Sequence, residues 1–316
     1  MYDTDVDNCN GNWHGLNAAD GVDSQSENLI RVSSMAHGRW YSTLITLSDG
    51  KVVVANGLDE FGSFNKLIEV YDPASKVWTK SFDANTSLTY CVGYGNEGTC
   101  VGAGSPCYGG SATGVAPNVG LYPRMHLMPS GLVVTCGVDV NVRSWDPENG
   151  KWALLGLTSS HRHYGASFLL PLFNIISERG KILLVGGSPD PDSYAITRVE
   201  IIDFDAGTLM SPVIRDVAPI PIRRKEQAPV ILPDGKCVIF GGSEKANSIP
   251  VYIPEIFDPV TETWQTLPAA SVPRVYHQSA VLLTDGRVRT QGGTPSSGNQ
   301  ELRTEIFSPD YIFSSS

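Results

Sequence analysis

A single unit recurs five times along this chain, and nothing else in the sequence restricts its fold as strongly. The unit is a short apolar strand, an Asp-Gly-like pair, a β-branched strand ending near two glycines, and a variable loop. An aromatic–Asp–Pro turn follows, often with a Trp after it. The copies read TLITLSDGKVVVANG with IEVYDPASKVWT, RMHLMPSGLVVTCG with VRSWDPENGKW, GASFLLPLFNIISERGKILLVGG with VEIIDFDAGTL, APVILPDGKCVIFGG with PEIFDPVTETW, and SAVLLTDGRVRTQGG with TEIFSPDYIF. Their turn glycines, Gly50, Gly131, Gly180, Gly235 and Gly286, stand 81, 49, 55 and 51 residues apart.

The last three intervals match the period of about 50 expected of kelch-type propeller blades. Asp-Gly between two apolar strands dictates a tight hairpin, because glycine enters positive φ without a Cβ clash. Second strands such as KVVVANG and KILLVGG are apolar without alternation, the pattern of strands covered on both faces. Paired glycines permit close backbone approach near a central channel. Asp-Pro then turns the chain toward an outer strand, where Trp78, Trp152 and Trp264 supply apolar contact between blades. No stretch carries a sustained 3.6-residue apolar period. The expected fold is an all-β, kelch-type β-propeller of about six or seven blades, five of them complete in this chain.

Two segments depart from the unit. Residues 81–120 are rich in glycine, hold Cys91, Cys100 and Cys107, and read as a long loop or a degenerate blade. Residues 28–35, NLIRVSSM, read as the end of a blade whose front strands have no counterpart in residues 1–20. The domain reading is therefore a partial first blade with an N-terminal tail over 1–38. Propeller blades follow over 39–316, with the Cys/Gly-rich insert at 81–120.

Composition excludes several function classes. At 316 residues and 41% hydrophobic content, the chain can bury a full core and is no disordered segment. The longest apolar run, around Ala166–Ile176, is broken by Pro171 and falls short of the roughly 20 residues of a membrane span. The net charge of −10, with scattered Lys and Arg, leaves no basic footprint for nucleic acid. Residues 1–30 lack the roughly 7–15-residue apolar core of a signal peptide. The expectation is a leader removed ahead of Met1, and an extracellular or cell-surface protein.

Cys136 and Cys237 sit in strand cores and read as buried thiols acting as small hydrophobes. Cys9, Cys91, Cys100 and Cys107 lie in Gly-rich segments without zinc-ligand spacing, and read as one or two disulfides of undetermined pairing. Asp3, Asp5 and Asp7 alternate like the start of a calcium loop. Asn8 and His14 occupy the places of its glycine and closing Glu, so the stretch reads as a solvated acidic tail. His161 and His163 would share a face if their segment were a strand; they read as polar loop residues.

His277 stands apart, in PRVYHQSAVLLTDGRVRTQGG. Over roughly residues 28–80 and 121–313 the chain resembles the galactose oxidase and glyoxal oxidase family of copper radical oxidases. In that family an Arg-x-Tyr-His motif opens a blade with its Tyr and His on copper, and Arg274, Val275, Tyr276 and His277 fit it. Gly38, Arg39, Trp40, Tyr41, Ser42 and Thr43 resemble the segment whose Tyr is both copper ligand and radical site. TEIFSPDYIF resembles the family's junction into a C-terminal immunoglobulin-like domain.

The resemblance implies copper as cofactor, with Tyr41, Tyr276 and His277 as its ligands. Oxidising an alcohol or aldehyde removes two electrons, Cu(II) accepts one, and a tyrosyl radical accepts the other. Tyr41 is then the radical ligand and His277 an equatorial one. Tyr276, a phenol of ordinary pKa about 10, is the base. Imidazole suits copper. The implied substrates are O2 and a small alcohol, aldehyde or carbohydrate, with H2O2 as product. Tyr41, Tyr276 and His277 are expected to converge at a channel mouth, since each opens the inner strand of its blade.

The sequence departs from the family in three respects. The family's thioether-forming Cys lies on an upstream strand, and only Cys9, in DNCNGNWHG, precedes Tyr41. The family's second His, from the C-terminal domain, has no counterpart here. No Trp of the Tyr41 blade matches the stacking indole of some members, which leaves Phe61 and Phe64. These 316 residues alone are therefore expected to be inactive, turnover belonging to a full-length form. The alternative is a non-catalytic propeller that binds glycans or proteins, with Arg39 and Arg274 merely anchoring neighbouring loops.

Overall fold

The computed structural model describes residues 14–23, 25–80, 90–92, 99–101, 120–174, 176–246, 248–294 and 300–313. Among these the secondary structure is β throughout, apart from one 3-10 turn at Asp310–Ile312. No helix there is long and apolar enough to cross a membrane. The chain forms two compact units, residues 1–155 and 156–316.

The first unit carries two blade sheets. Thr43–Thr46, Val52–Ala55, Ile68–Asp72 and Val77–Lys80 form the first, and Arg124–Leu127, Val133–Cys136, Asn141–Trp145 and Trp152–Leu157 the second, each in sequential order. The second strands are buried along their length, as their unbroken apolar pattern requires. Val53, Ala55, Ile68, Val133 and Trp145 form the shared core, and Trp152 packs against it. Trp78 instead faces its cross-strand partner Tyr71 within one blade, ring centroids 5.1 Å apart. Asp20–Val22 pairs with Leu29–Arg31 in a separate two-stranded sheet. In the 81–120 segment, Tyr90–Val92 pairs with Thr99–Val101, which makes Cys91 and Cys100 register partners. Asp3, Asp5, Asp7, Cys9 and Cys107 lie outside the described residues.

The second unit carries three. The third blade is Ala166–Leu169, Lys181–Val185, Val199–Thr208 and Ser211–Val217; the fourth is Ala228–Ile231, Cys237–Phe240, Glu255–Asp258 and Thr263–Thr266. The fifth shows three strands among the described residues, Gln278–Leu282, Val288–Gly292 and Glu305–Phe307. Leu183, Val185, Val199, Ile201, Ile239 and Phe257 interlock the third and fourth, with Trp264 packed against them. Trp264 also donates its indole N–H to Ala218 O. Cys136 and Cys237 are buried and form no disulfide, as expected.

The hairpins depart from a two-residue turn. Gly50 N–H reaches Leu47 O and Leu47 N–H reaches Lys51 O, and Gly50 at φ 85° is the left-handed residue of the loop. This is a type I turn followed by a left-handed glycine and a bulge. The same geometry recurs at Gly131, Gly235 and Gly286, with φ between 85° and 87°. Asp49, Asp234 and Asp285 each accept the backbone N–H two residues on, which explains why Asp precedes the glycine.

Candidate active site

Four lead-in loops are built on the same buried ion pair. Arg39 meets Glu69 at 2.8 Å, Arg162 meets Glu200 at 2.7 Å, and Arg224 meets Glu255 at 2.6 Å, all almost fully buried. Arg274 lies 3.6 Å from Glu305, whose side chain is more open. Each arginine also donates to backbone carbonyls: Arg39 to Asn56 and Leu67, Arg162 to Gly186 and Arg198, Arg224 to Gly241 and Ile253, Arg274 to Gly292 and Arg303. Each glutamate accepts a backbone N–H just ahead of the arginine, from Ala36, Ser159, Ile222 or Ser271. Burial lowers Arg224 to about 10 and raises Glu255, while their mutual attraction opposes both shifts. Such a pair fixes loop geometry because neither charge has another way to be satisfied.

A second regularity extends beyond the four clipped loops. The five lead-in loops each hold one non-glycine residue in the left-handed region one or two residues ahead of the first strand: Tyr41 at φ 64°, Tyr122 at 50°, Tyr164 at 57°, Glu226 at 65° and His277 at 64°. That conformation costs a side-chain-bearing residue roughly 1–2 kcal/mol. Strain of this kind persists where the surroundings over-determine it, and it gathers at functional sites. Two of the three expected site residues, Tyr41 and His277, occupy this position. Tyr276 stands one residue before it.

In the first unit Tyr41 is enclosed by aromatic rings. Trp40 stacks on it at 3.6 Å between centroids with planes 6° apart, and Tyr122 stacks at 4.4 Å. Tyr122 N–H also donates to Tyr41 O. This corrects the expectation that the blade holds no stacking indole. The ring comes from the residue beside Tyr41 because the left-handed turn folds the two side chains onto one side, and Phe61 is left largely exposed.

In the second unit Tyr276 and His277 lie together, centroids 3.8 Å apart. Tyr164 meets Tyr276 edge-on at 5.8 Å. Burial lowers the His277 pKa below the usual imidazole range, which favours the neutral, lone-pair-bearing ring. Lys225 is fully buried and donates to Pro191 O, Ser193 O and Ser188 Oγ, so it holds the 188–193 loop and lies 5.8 Å from the Tyr164 ring centre. Tyr41 belongs to the first unit and Tyr276 and His277 to the second.

Imidazole and phenol on adjacent residues are donor types that Cu(II) accepts, so the chemistry of Tyr276 and His277 is compatible with part of a copper ligand set. Among the described residues no group of three His, Cys, Asp or Glu could hold a metal. His161 and His163 stack at 6.0 Å and belong to no such group among the described residues.

Sequence reading missed Trp40, Tyr122, Tyr164 and Glu226. The signal for Tyr164 was present: Arg162-His163-Tyr164 repeats the Arg-x-Tyr spacing of Arg39-Trp40-Tyr41. The clip glutamates also had one, in IEVYD, VEIID, PEIFD and TEIFS.

Five sheets of three or four sequential antiparallel strands, with left-handed aromatic and ionisable residues leading into them, define an all-β propeller. Comparison with known proteins specifies it further. The chain is 30% identical over 311 residues to a galactose oxidase of Gibberella zeae, covering 93% of this chain and 42% of that protein. It is 25% identical over 325 residues to an aldehyde oxidase of Arabidopsis thaliana, covering 92% and 48%. A fungal alcohol oxidase of the AA5 family, solved in complex with copper, superposes with a TM-score of 0.72 at 23% identity over 95% of this chain and 60% of that one, which shows the fold. No family model matches the chain. The chain is galactose/glyoxal oxidase-like, and it spans less than half the length of these curated relatives.

Proposed function

We propose that this chain is the propeller of a copper radical oxidase that converts alcohols or aldehydes with O2 and releases H2O2. The observation that carries the reading is the pair Tyr276–His277, phenol beside neutral imidazole, on a clipped, left-handed lead-in loop. The relatives' names, galactose oxidase and aldehyde oxidase, support the same reaction class. On the family resemblance Tyr41 joins these two as a ligand, its ring enclosed by Trp40 and Tyr122. Copper, when bound, would supply one-electron redox chemistry at these residues. For an alcohol, the substrate loses two electrons and two protons to become an aldehyde, and O2 gains them to become H2O2. Tyr276 takes the hydroxyl proton. Tyr41 serves as the second one-electron acceptor, with Trp40 and Tyr122 stacked on its ring. Kelch repeats, action outside the cytoplasm and turnover only in a full-length form belong to the same reading.

Copper(II) titration by calorimetry and electron paramagnetic resonance tests it. Tyr276→Phe and His277→Ala should each weaken copper binding, and a longer chain with flanking sequence should produce peroxide where these 316 residues do not. Absence of copper binding, with no peroxide from either chain, would favour the non-catalytic glycan- or protein-binding propeller.

A further inference from the structure

We propose that Tyr164 is a substrate-contacting residue of this site, an aromatic platform that favours alcohols and aldehydes carrying a ring over short linear ones. The proposal rests on the oxidase reading of Tyr276 and His277 and deepens it.

Three observations converge on Tyr164. Its ring meets Tyr276 edge-on at 5.8 Å, and Tyr276 in turn lies 3.8 Å from His277. The three rings therefore form one contiguous aromatic surface in the second unit. Tyr164 is 36% exposed, so the surface is open to a ligand. Its backbone is held at φ 57°, where glycine would be relaxed, by a carbonyl that accepts Glu226 N–H and by the Arg162–Glu200 clip two residues earlier. A bulky aromatic kept in that conformation and part-exposed is the kind of local strain that gathers at functional sites.

The neighbouring cation does not compete for the ligand. Lys225 Nζ is committed to Pro191 O, Ser193 O and Ser188 Oγ, and its side chain is buried. It packs beside the Tyr164 ring, 5.8 Å from its centre, without reaching solvent. A reacting carbon held over Tyr276 and His277 thus lies about one ring width from the centre of Tyr164. A two-carbon substrate ends before reaching it. A benzylic or pyranose ring extends onto it, and the face of a tyrosine offers dispersion and C–H contact to either.

The test reads binding to the metal-free chain, so it does not depend on turnover. Benzyl alcohol, methyl galactoside and glycolaldehyde are titrated against wild type, Tyr164→Phe and Tyr164→Leu by ligand-observed NMR, with unfolding midpoints as the fold control. Tyr164→Leu should weaken at least one of the two ring ligands about fivefold and leave glycolaldehyde within about twofold, whereas Tyr164→Phe should bind like wild type. Which ring ligand responds distinguishes an aryl from a sugar platform. Copper affinity should stay within about twofold in both variants, because Tyr164 is not a ligand. Equal loss of all three ligands, no loss of either ring ligand, or no ring ligand bound by wild type would overturn the proposal. Tyr164-dependent ring binding in a chain that takes up no copper would uphold the platform and sink the oxidase reading instead.

Discussion

Trp40 lies flat on Tyr41, 3.6 Å between ring centres and 6° from parallel, although the two are adjacent in sequence. Neighbouring side chains on an extended strand point to opposite faces. The left-handed φ of Tyr41 breaks that alternation, and Tyr122 closes the stack from the other side. Trp40→Ala should destabilise the chain by about 3 kcal/mol, near the lower end for aromatic truncation because Trp40 is only half-buried. Trp40→Phe keeps a stacking ring and should cost less than half as much in urea unfolding.

Two glycines separate backbone freedom from steric room. Gly50 has φ 85° with nothing within 4 Å of an added Cβ, whereas a Cβ on Gly241 would sit 2.5 Å from Arg274 O. Gly50→Ala should therefore cost only the conformational penalty, about 1–2 kcal/mol. Gly241→Ala must also move the loop that carries Tyr276 and His277. Its unfolding midpoint should drop clearly further, and equal midpoints would contradict the close approach.

The Arg224–Glu255 pair, buried at both ends, should show strong coupling. Arg224→Met alone or Glu255→Gln alone should cost about 3–5 kcal/mol, since each strands buried polar partners. The double variant should cost much less than the sum. Additive losses in a double-mutant cycle would mean that the pair acts only through packing.

Acid should weaken the fold from two directions that agree in sign. Burial and the nearby Arg124 lower His126 to about 4, so between pH 6.5 and 4 the unfolded chain binds a proton that the folded chain refuses. Stability from this residue is complete above pH 6.5 and declines toward pH 4, by up to about 3 kcal/mol. Glu60, held at about 2 mainly by its hydrogen bond with His37, loses its contribution as pH falls from 4.5 toward 2. Urea midpoints measured from pH 8 to pH 4 should fall, and His126→Gln should flatten the upper part of that decline.

Cys237 should be inert in the native state. Burial pushes its thiol up to about 12, so almost no thiolate exists at neutral pH. Iodoacetamide with mass spectrometry should leave Cys136 and Cys237 unmodified until denaturant is added.

The repeat alone was enough to read the blades, because each is a local object. An Asp-Gly turn, an unbroken apolar strand and an aromatic–Asp corner all lie within about 30 residues, and hydrophobic periodicity and turn chemistry act over that range. The buried Cys136 and Cys237 and the packing of Trp152 and Trp264 follow from the same pattern. Trp78 and Trp264 also meet their cross-strand partners, Tyr71 and Phe257, a pairing that the strand register selects.

The lead-in loops needed tertiary structure. Nothing local marks Tyr41, Tyr164 or His277 as left-handed; each follows an arginine paired with a glutamate 30 to 38 residues away. Sequence order likewise hid Tyr164 from Tyr276, which stand in separate blades and meet at 5.8 Å. The amino-acid sequence determined which strands exist and which residues line their cores, because burial and turn formation are set by neighbours along the chain. Only the folded chain decided which side chains share a site, because buried ion pairs and backbone close approaches between distant segments set the loops that carry them.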